Sequence, residues 1–322
     1  MLNIMHFGAY WQKENDIIFA MVKDLERVTS LMVVDTHLYD DKKNNYVTDD
    51  SSLNKFYSIR YINDNIVKNA VLKFSPNIII VNSGGMSFRK NIFDFLNKKK
   101  IKTIGISLSD PDVFPYNGKI YAHEFDLFCT NSKFSYLNQY KNVNIEHLPF
   151  AASPLIHYPL ENNKKEHDII IVGGYRQDRL NVAKTLSEKF NVGIYGSGWP
   201  KIGSKNYGQI NGKGHLSALN SGKIYISFSK TVAGYHNVKV GLFEAAACKN
   251  LLVTEDFSEV YNYFEKDKEI ITYTNKNELV EKIEYFLHNK NILDDITNAS
   301  YNRFIREHTW EKRWTKILSK II

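Results

Sequence analysis

Cysteine is nearly absent from this chain: Cys129 and Cys248 are the two thiols among 322 residues. Each is flanked by apolar or small residues and reads as a buried thiol, which excludes a disulfide framework, a redox pair and a cysteine metal site. No hydrophobic run approaches a membrane span, and the N-terminus enters a short strand-like segment with no signal peptide, so a soluble, cytoplasmic protein is expected. Low-complexity tracts are missing too. The sequence contains no G-x-x-x-x-G-K-[ST] loop, no H-E-x-x-H, no paired-cysteine motif, and no hydrolase elbow around Ser197. Its histidines are dispersed, and no metal is expected. A surplus of basic residues does exist, with a formal net charge of +7, but the lysines are spread along the chain. A dedicated nucleic-acid surface more often shows a basic stripe with interleaved aromatics.

What is present is a globular composition and a length that favours two domains of similar size. The first half alternates strands and helices: strand 1–8 ending in Gly8, helix 17–28, strand 31–36, a polar loop 40–52, helix 63–73, strand 77–83 and the turn Gly84-Gly85. Helix 88–98, strand 102–108, an acidic loop 109–115 and strand 126–131 follow. Such alternation implies right-handed crossovers and a mostly parallel sheet, Rossmann-like but without a G-x-G-x-x-G after the first strand. The pattern breaks at Pro149, Pro154 and Pro159, which places the domain junction there. The second half repeats the architecture, and 12 of the 17 glycines lie in it. A backbone that must approach a ligand needs residues without side chains, so the ligand is expected mainly on the second domain, beyond the carboxyl ends of its strands. The expected domains are 1–152 and 153–305, with a C-terminal helix over 306–322.

The stretch 234–256 concentrates the chemistry. Asn237 is placed to cap a helix with a face of Val240, Leu242, Phe243 and three alanines. Lys239 stands in its first turn, where a cation is mildly unfavourable unless an anion is near, and Glu244 is a carboxylate among apolar neighbours that calls for a partner. A nucleoside diphosphate satisfies both, with phosphate on Lys239 and ribose on Glu244. Upstream, Gly173, Gly174, Arg176 and Arg179 form either a diphosphate site or a tight turn with exposed arginines. Tyr195 and Gly196 open either a base-binding niche or an irregular loop anchored by Trp199. Ser229, Gly234, Tyr235, His236 and Asn237 carry donors and acceptors suited to a sugar. In the first domain, Asp110 or Asp112 is a candidate general base on a hydroxyl nucleophile, although Asp-Pro is also a turn former.

Taken in order, DIIIVGGYRQDR, VGIYGSGW, NVKVGLFEAAACKNLLVTED and HTWEKRW resemble the CgeB-like glycosyltransferases. LSDPD, DLFCTNSKFSYLNQY and LPFAASPLIHYP resemble the first-domain portion of that family. The resemblance covers about residues 102–316 and implies a GT-B fold: two Rossmann-like domains facing a cleft, with the closing helix returning to the first. It implies a sugar-nucleotide donor, UDP-sugar foremost, on the second domain, an acceptor from the first, and no further cofactor. It carries Glu244 over as the ribose carboxylate. Related enzymes hold a pair of glutamates of which the earlier position is here His236, and Lys239 stands where arginine is common. Lysine keeps the charge and loses bidentate geometry. The expected activity is metal-independent transfer of a sugar to a hydroxyl-bearing glycan, protein or modified nucleic acid. A nucleotide-sugar epimerase and a non-catalytic binding relative are the alternatives.

Overall fold

Runs such as Ile78, Ile79, Ile80 and Val81 lack polar alternation, the pattern of strands buried on both faces beneath crossover helices. A computed structural model describes residues 2–8, 17–36, 46–48, 60–83, 86–161 and 164–322. The first half runs β1 (Asn3–Gly8), α1 (Ile17–Leu25), β2 (Ser30–Asp35), β3 (Tyr46–Thr48), β4 (Arg60–Ile62), α2 (Asp64–Phe74) and β5 (Ile78–Ser83). It continues through β6 (Met86–Ser87), α3 (Lys90–Lys98), β7 (Lys102–Ser107), α4 (Gly118–Tyr121), β8 (Leu127–Thr130), α5 (Lys133–Asn138) and β9 (Ile145–His147). Six of these strands form a parallel sheet in the order β2-β1-β5-β7-β8-β9.

The second half begins β10 (His167–Val172), α6 (Gln177–Ser187), β11 (Val192–Tyr195), β12 (Lys205–Asn206), α7 (Lys213–Asn220) and β13 (Gly222–Ser227). It ends α8 (Val240–Ala247), β14 (Leu251–Glu255), β15 (Ile271–Tyr273), α9 (Lys276–His288), α10 (Lys290–Glu307) and α11 (Trp310–Leu318). Its sheet is parallel in the order β12-β11-β10-β13-β14-β15, so the strand order reverses at β10. Ligands of open parallel sheets bind at such a reversal, beyond the carboxyl ends of the strands.

One local expectation changes. The loop read over 40–52 contains β3, which pairs antiparallel with β4 in a small three-stranded sheet completed by β6. Three residues are too few to show a strand period. Gly84-Gly85 lies outside the described residues.

The C-terminal helix returns to the first sheet as expected. Trp314 is fully buried and its Nε1 donates to the Met21 carbonyl at 2.7 Å, while the Glu311 amide donates to Asp24 at 3.1 Å. Near its start, Trp310 N donates to Ala152 O and Ala152 N to His308 O, stitching the inter-sheet linker to the α10–α11 junction. One apolar cluster therefore runs from Ile4 and Ile80 through Leu148, Trp310 and Trp314 to Phe243 and Leu252. Among the described residues, no helix is long and apolar enough to cross a membrane.

Candidate functional site

At the carboxyl ends of β10, β11 and β13 lies a cavity of about 400 Å³, within the range of small-ligand pockets. Gly173, Gly174, Arg179, Tyr195, Gly196, Lys239 and Glu244 all line it. Its floor depends on backbone approaching backbone: a Cβ on Gly196 would lie 2.1 Å from the Gly173 carbonyl oxygen. Trp199 Nε1 holds that same carbonyl at 2.8 Å, so the two glycine turns are fixed against each other.

The helix α8 starts at this cavity. Its N-cap is Lys239, with no side-chain hydrogen bond to the first turn, which corrects the expectation of an Asn237 cap. Asn237 instead donates from Nδ2 to the Asp110 carbonyl at 2.8 Å and accepts from Ser132 Oγ at 3.3 Å, joining the two halves. The uncapped first turn leaves donors and the positive helix end beside Lys239, Val240 and Gly241, all cavity-lining. Gly241 is required there, because a Cβ would lie 1.9 Å from the Tyr225 hydroxyl.

Cations crowd this end. Burial, with Arg179 and Arg176 nearby, pulls the Lys239 ammonium down to about 8, although Asp112 acts the other way. Burial also lowers Arg179, with Arg176 adding to the effect. Arg179 Nη1 donates to the Gly174 carbonyl at 2.8 Å, and its guanidinium lies 5.5 Å from the Phe228 ring centre. An anion in the cavity would relieve the repulsion and desolvation together.

Glu244 is buried on α8, with His157 Nε2 3.6 Å from one carboxylate oxygen and His215 Nε2 3.6 Å from the other. The histidines that appear dispersed in sequence are thus gathered at the carboxylate. His215 lines the cavity and His157 comes from the linker; burial lowers the former to about 4 and the latter to about 3.

The remaining expected residues shape the loop 228–237 rather than this cavity. Arg176 donates to the Lys230 and Thr231 carbonyls and pairs with Asp178. Ser229 N donates to Glu255, and Ser229 Oγ bonds His236 Nδ1 at 2.7 Å. His236 stacks on Phe257 and lines neither this cavity nor the one described next. Gly234 closes a turn onto Thr231 with φ 86°, and Tyr235 stacks on Phe134 of the first half at 4.1 Å. Tyr195 stacks on Tyr207 at 4.5 Å, so one face of the ring expected beside a base is already covered.

A second cavity, of about 610 Å³, lies between this loop and the first sheet; Asp110, Asp112, Asn131, Thr231, Ala233 and Lys239 are among its lining. Thr130 Oγ1 and Tyr140 Oη both donate to one oxygen of the Asp110 carboxylate, Oδ2, at 2.6 and 2.7 Å, while its buried Oδ1 has no hydrogen-bond partner among the described residues. Burial raises this carboxyl, and the hydroxyls oppose that rise. The Asp110 carbonyl in turn holds Asn237. Asp112 accepts the Val232 and Ala233 amides at 3.0 and 2.7 Å, latching the loop across the cleft.

Sequence reasoning missed Tyr225, Gly241, His157 and His215. Gly241 carried a signal, a glycine inside a helix; the other three act through contacts between distant segments.

Comparison with known proteins places these observations. A family model described as "Glycosyl transferase-like" matches residues 176–319. No curated protein sequence matches the chain. Among solved structures, HepE of Anabaena in complex with UDP and glucose superposes with a TM-score of 0.65 at 9% identity, covering 100% of both chains. Sucrose-phosphate synthase of Thermosynechococcus elongatus gives 0.64 at 11% identity, covering 99% of this chain and 98% of that one. A glycosyltransferase of Rickettsia africae gives 0.59 at 13%, covering 99% and 97%. At these identities the structural likeness concerns the fold. The chain has the GT-B fold, and within it residues 176–319 match the glycosyl transferase-like family model.

Proposed function

We propose that the protein is a glycosyltransferase that takes a sugar from a nucleoside diphosphate, UDP foremost, and transfers it to a hydroxyl-bearing acceptor entering from the first half. The observation that carries this reading is one cavity lined by both a buried carboxylate, Glu244, and the cationic end of the same helix. From Lys239 to Glu244 an α-helix rises about 7.5 Å, the scale separating a ribose from the second phosphate of its diphosphate. Glu244 then accepts from the ribose hydroxyls. Arg179, Lys239 and the uncapped amides receive the diphosphate.

Charge grows on that diphosphate as the glycosidic bond breaks. Donors fixed beforehand around it stabilise the transition state without reorganising, and these cations supply that charge with no metal on the phosphates. UDP is favoured as the carrier because HepE, of the same fold, is seen with it. The acceptor enters through the second cavity, where the Asp112 latch and the Tyr235–Phe134 stack set the cleft width.

The test is incubation of the protein with a panel of UDP-sugars, with and without hydroxyl acceptors, read by mass spectrometry. Release of UDP with a glycosylated acceptor, or slow acceptor-independent hydrolysis, is expected. A sugar isomerised on its nucleotide would make the protein an epimerase. A donor bound and never turned over would make it a binding module.

A further inference from the structure

Two imidazoles and a carboxylate converge behind the cavity from three separate elements. His157 ends the linker turn in which its amide donates to Ser153 O at 2.8 Å, and His215 stands in the first turn of α7. Glu244 comes from the middle of α8. His157 is 1% exposed, and among the described residues neither of its ring nitrogens makes a hydrogen bond within 3.5 Å, nor does His215 Nδ1. Leaving a buried polar group unpaired costs about 1–3 kcal/mol. A fold that buries two such rings against one carboxylate calls for a further ligand.

The spacing identifies its kind. Each Nε2 lies 3.6 Å from a different Glu244 oxygen, and one ligand atom from each of the three residues lies within 4.8 Å of the other two. That distance exceeds a good N–H···O hydrogen bond, about 2.7–3.2 Å. It is close to the ligand-to-ligand edge of a tetrahedral zinc site, about 3.4 Å for bonds of about 2.0–2.1 Å. The ring planes are perpendicular, with centres 5.8 Å apart, so the two imidazoles do not stack on each other.

We propose that His157, His215 and Glu244 form a binding site for a divalent cation of the zinc class. Two nitrogens and one carboxylate suit Zn²⁺ and Co²⁺, whereas Mg²⁺ and Ca²⁺ take oxygen ligands. With Glu244 binding through one oxygen, the fourth position opens toward the cavity that His215 and Glu244 line. The ion sits at the ribose end, away from the cations that face the diphosphate. An ion on Glu244 withdraws one of its two oxygens from the ribose and occupies the ribose end, so zinc competes with the nucleotide there. That consequence rests on the donor reading above; the metal site does not.

The test uses the full chain stripped with a chelator, titrated with Zn²⁺ by calorimetry and with Co²⁺ by visible absorption. One ion per chain is expected, with the intense bands of four-coordinate cobalt. His215→Gln and Glu244→Gln should each weaken binding at least tenfold while keeping the far-ultraviolet circular dichroism of the parent. His288→Gln, at an exposed histidine, should leave binding unchanged. Absence of saturable binding, or binding that survives both site substitutions, overturns the proposal. UDP titrated with and without zinc separates the two ideas. UDP that fails to bind the stripped protein refutes the donor reading and leaves the zinc stoichiometry standing, whereas UDP unaffected by bound zinc refutes the competition alone.

Discussion

The two cavities are built by opposite means. The cavity on the second sheet is made of missing side chains: Gly173, Gly174, Gly196 and Gly241 leave backbone and helix end facing the space that Arg179, Lys239 and Glu244 also line. The one beside the first sheet is lined by side chains bonded to one another: Asp110 is held by Thr130 and Tyr140, Asn237 by Asp110 and Ser132, and Asp112 by the opposing loop. Open cations and a buried carboxylate suit a small charged ligand that completes the site. A cross-linked hydrogen-bond network suits a wall that sets where a second substrate stands. On this reading the first half contributes placement, and the second half contributes binding energy and charge.

The comparison breaks first at the C-terminal helix, which ties the halves together. Trp314→Ala removes a fully buried indole and its bond to Met21, and should cost about 3–5 kcal/mol, seen as a fall in the urea midpoint. An unchanged midpoint would mean the halves hold together without α11. Next comes the glycine floor. Gly241→Ala forces a methyl onto the Tyr225 hydroxyl, so it should destabilise the chain by about 1–3 kcal/mol and abolish UDP binding by calorimetry.

Lys239 sharpens the contrast through pH. Its free ammonium loses its proton around pH 8, and a bound diphosphate favours the charged form, raising the value in the complex. UDP affinity should therefore hold below pH 8 and fall above it, by up to about tenfold per pH unit, with proton uptake on binding in that window. Lys239→Met should flatten the profile; a wild-type profile that is flat from pH 7 to 10 would remove Lys239 from the phosphates. The smallest effect belongs to the latch. Asp112→Ala should speed amide exchange at Val232 and Ala233, cost about 1 kcal/mol, and leave UDP affinity nearly unchanged.

How far the sequence discloses this follows from the same contrast. Strand and helix alternation is a local pattern, and it located both parallel sheets and the helix that returns to α1. Glycines at strand ends are also local, so Gly173, Gly174 and Gly196 pointed to the cavity before any contact was known. The first-half wall was less legible because its residues act at long range. Nothing local separates Asp110 as a base from Asp110 as the acceptor of Thr130 and Tyr140, nor Asn237 as a helix cap from Asn237 as a bridge to Ser132. His236 stands at a relative's acid position, and its ring bonds Ser229 through Nδ1 and stacks on Phe257. The meeting of His157 and His215 on Glu244 depends on the linker and α7 converging, which no spacing encodes.

The account stands on Glu244 as the carboxylate that holds the donor's ribose. Calorimetric titration of UDP into the metal-stripped protein and its Glu244→Ala variant tests this most directly. The account predicts one UDP per chain in the parent and affinity lower by about 10- to 100-fold in the variant, the loss expected when hydrogen bonds to a charged group are removed. UDP that binds the variant as tightly as the parent, or fails to bind the parent, would contradict it.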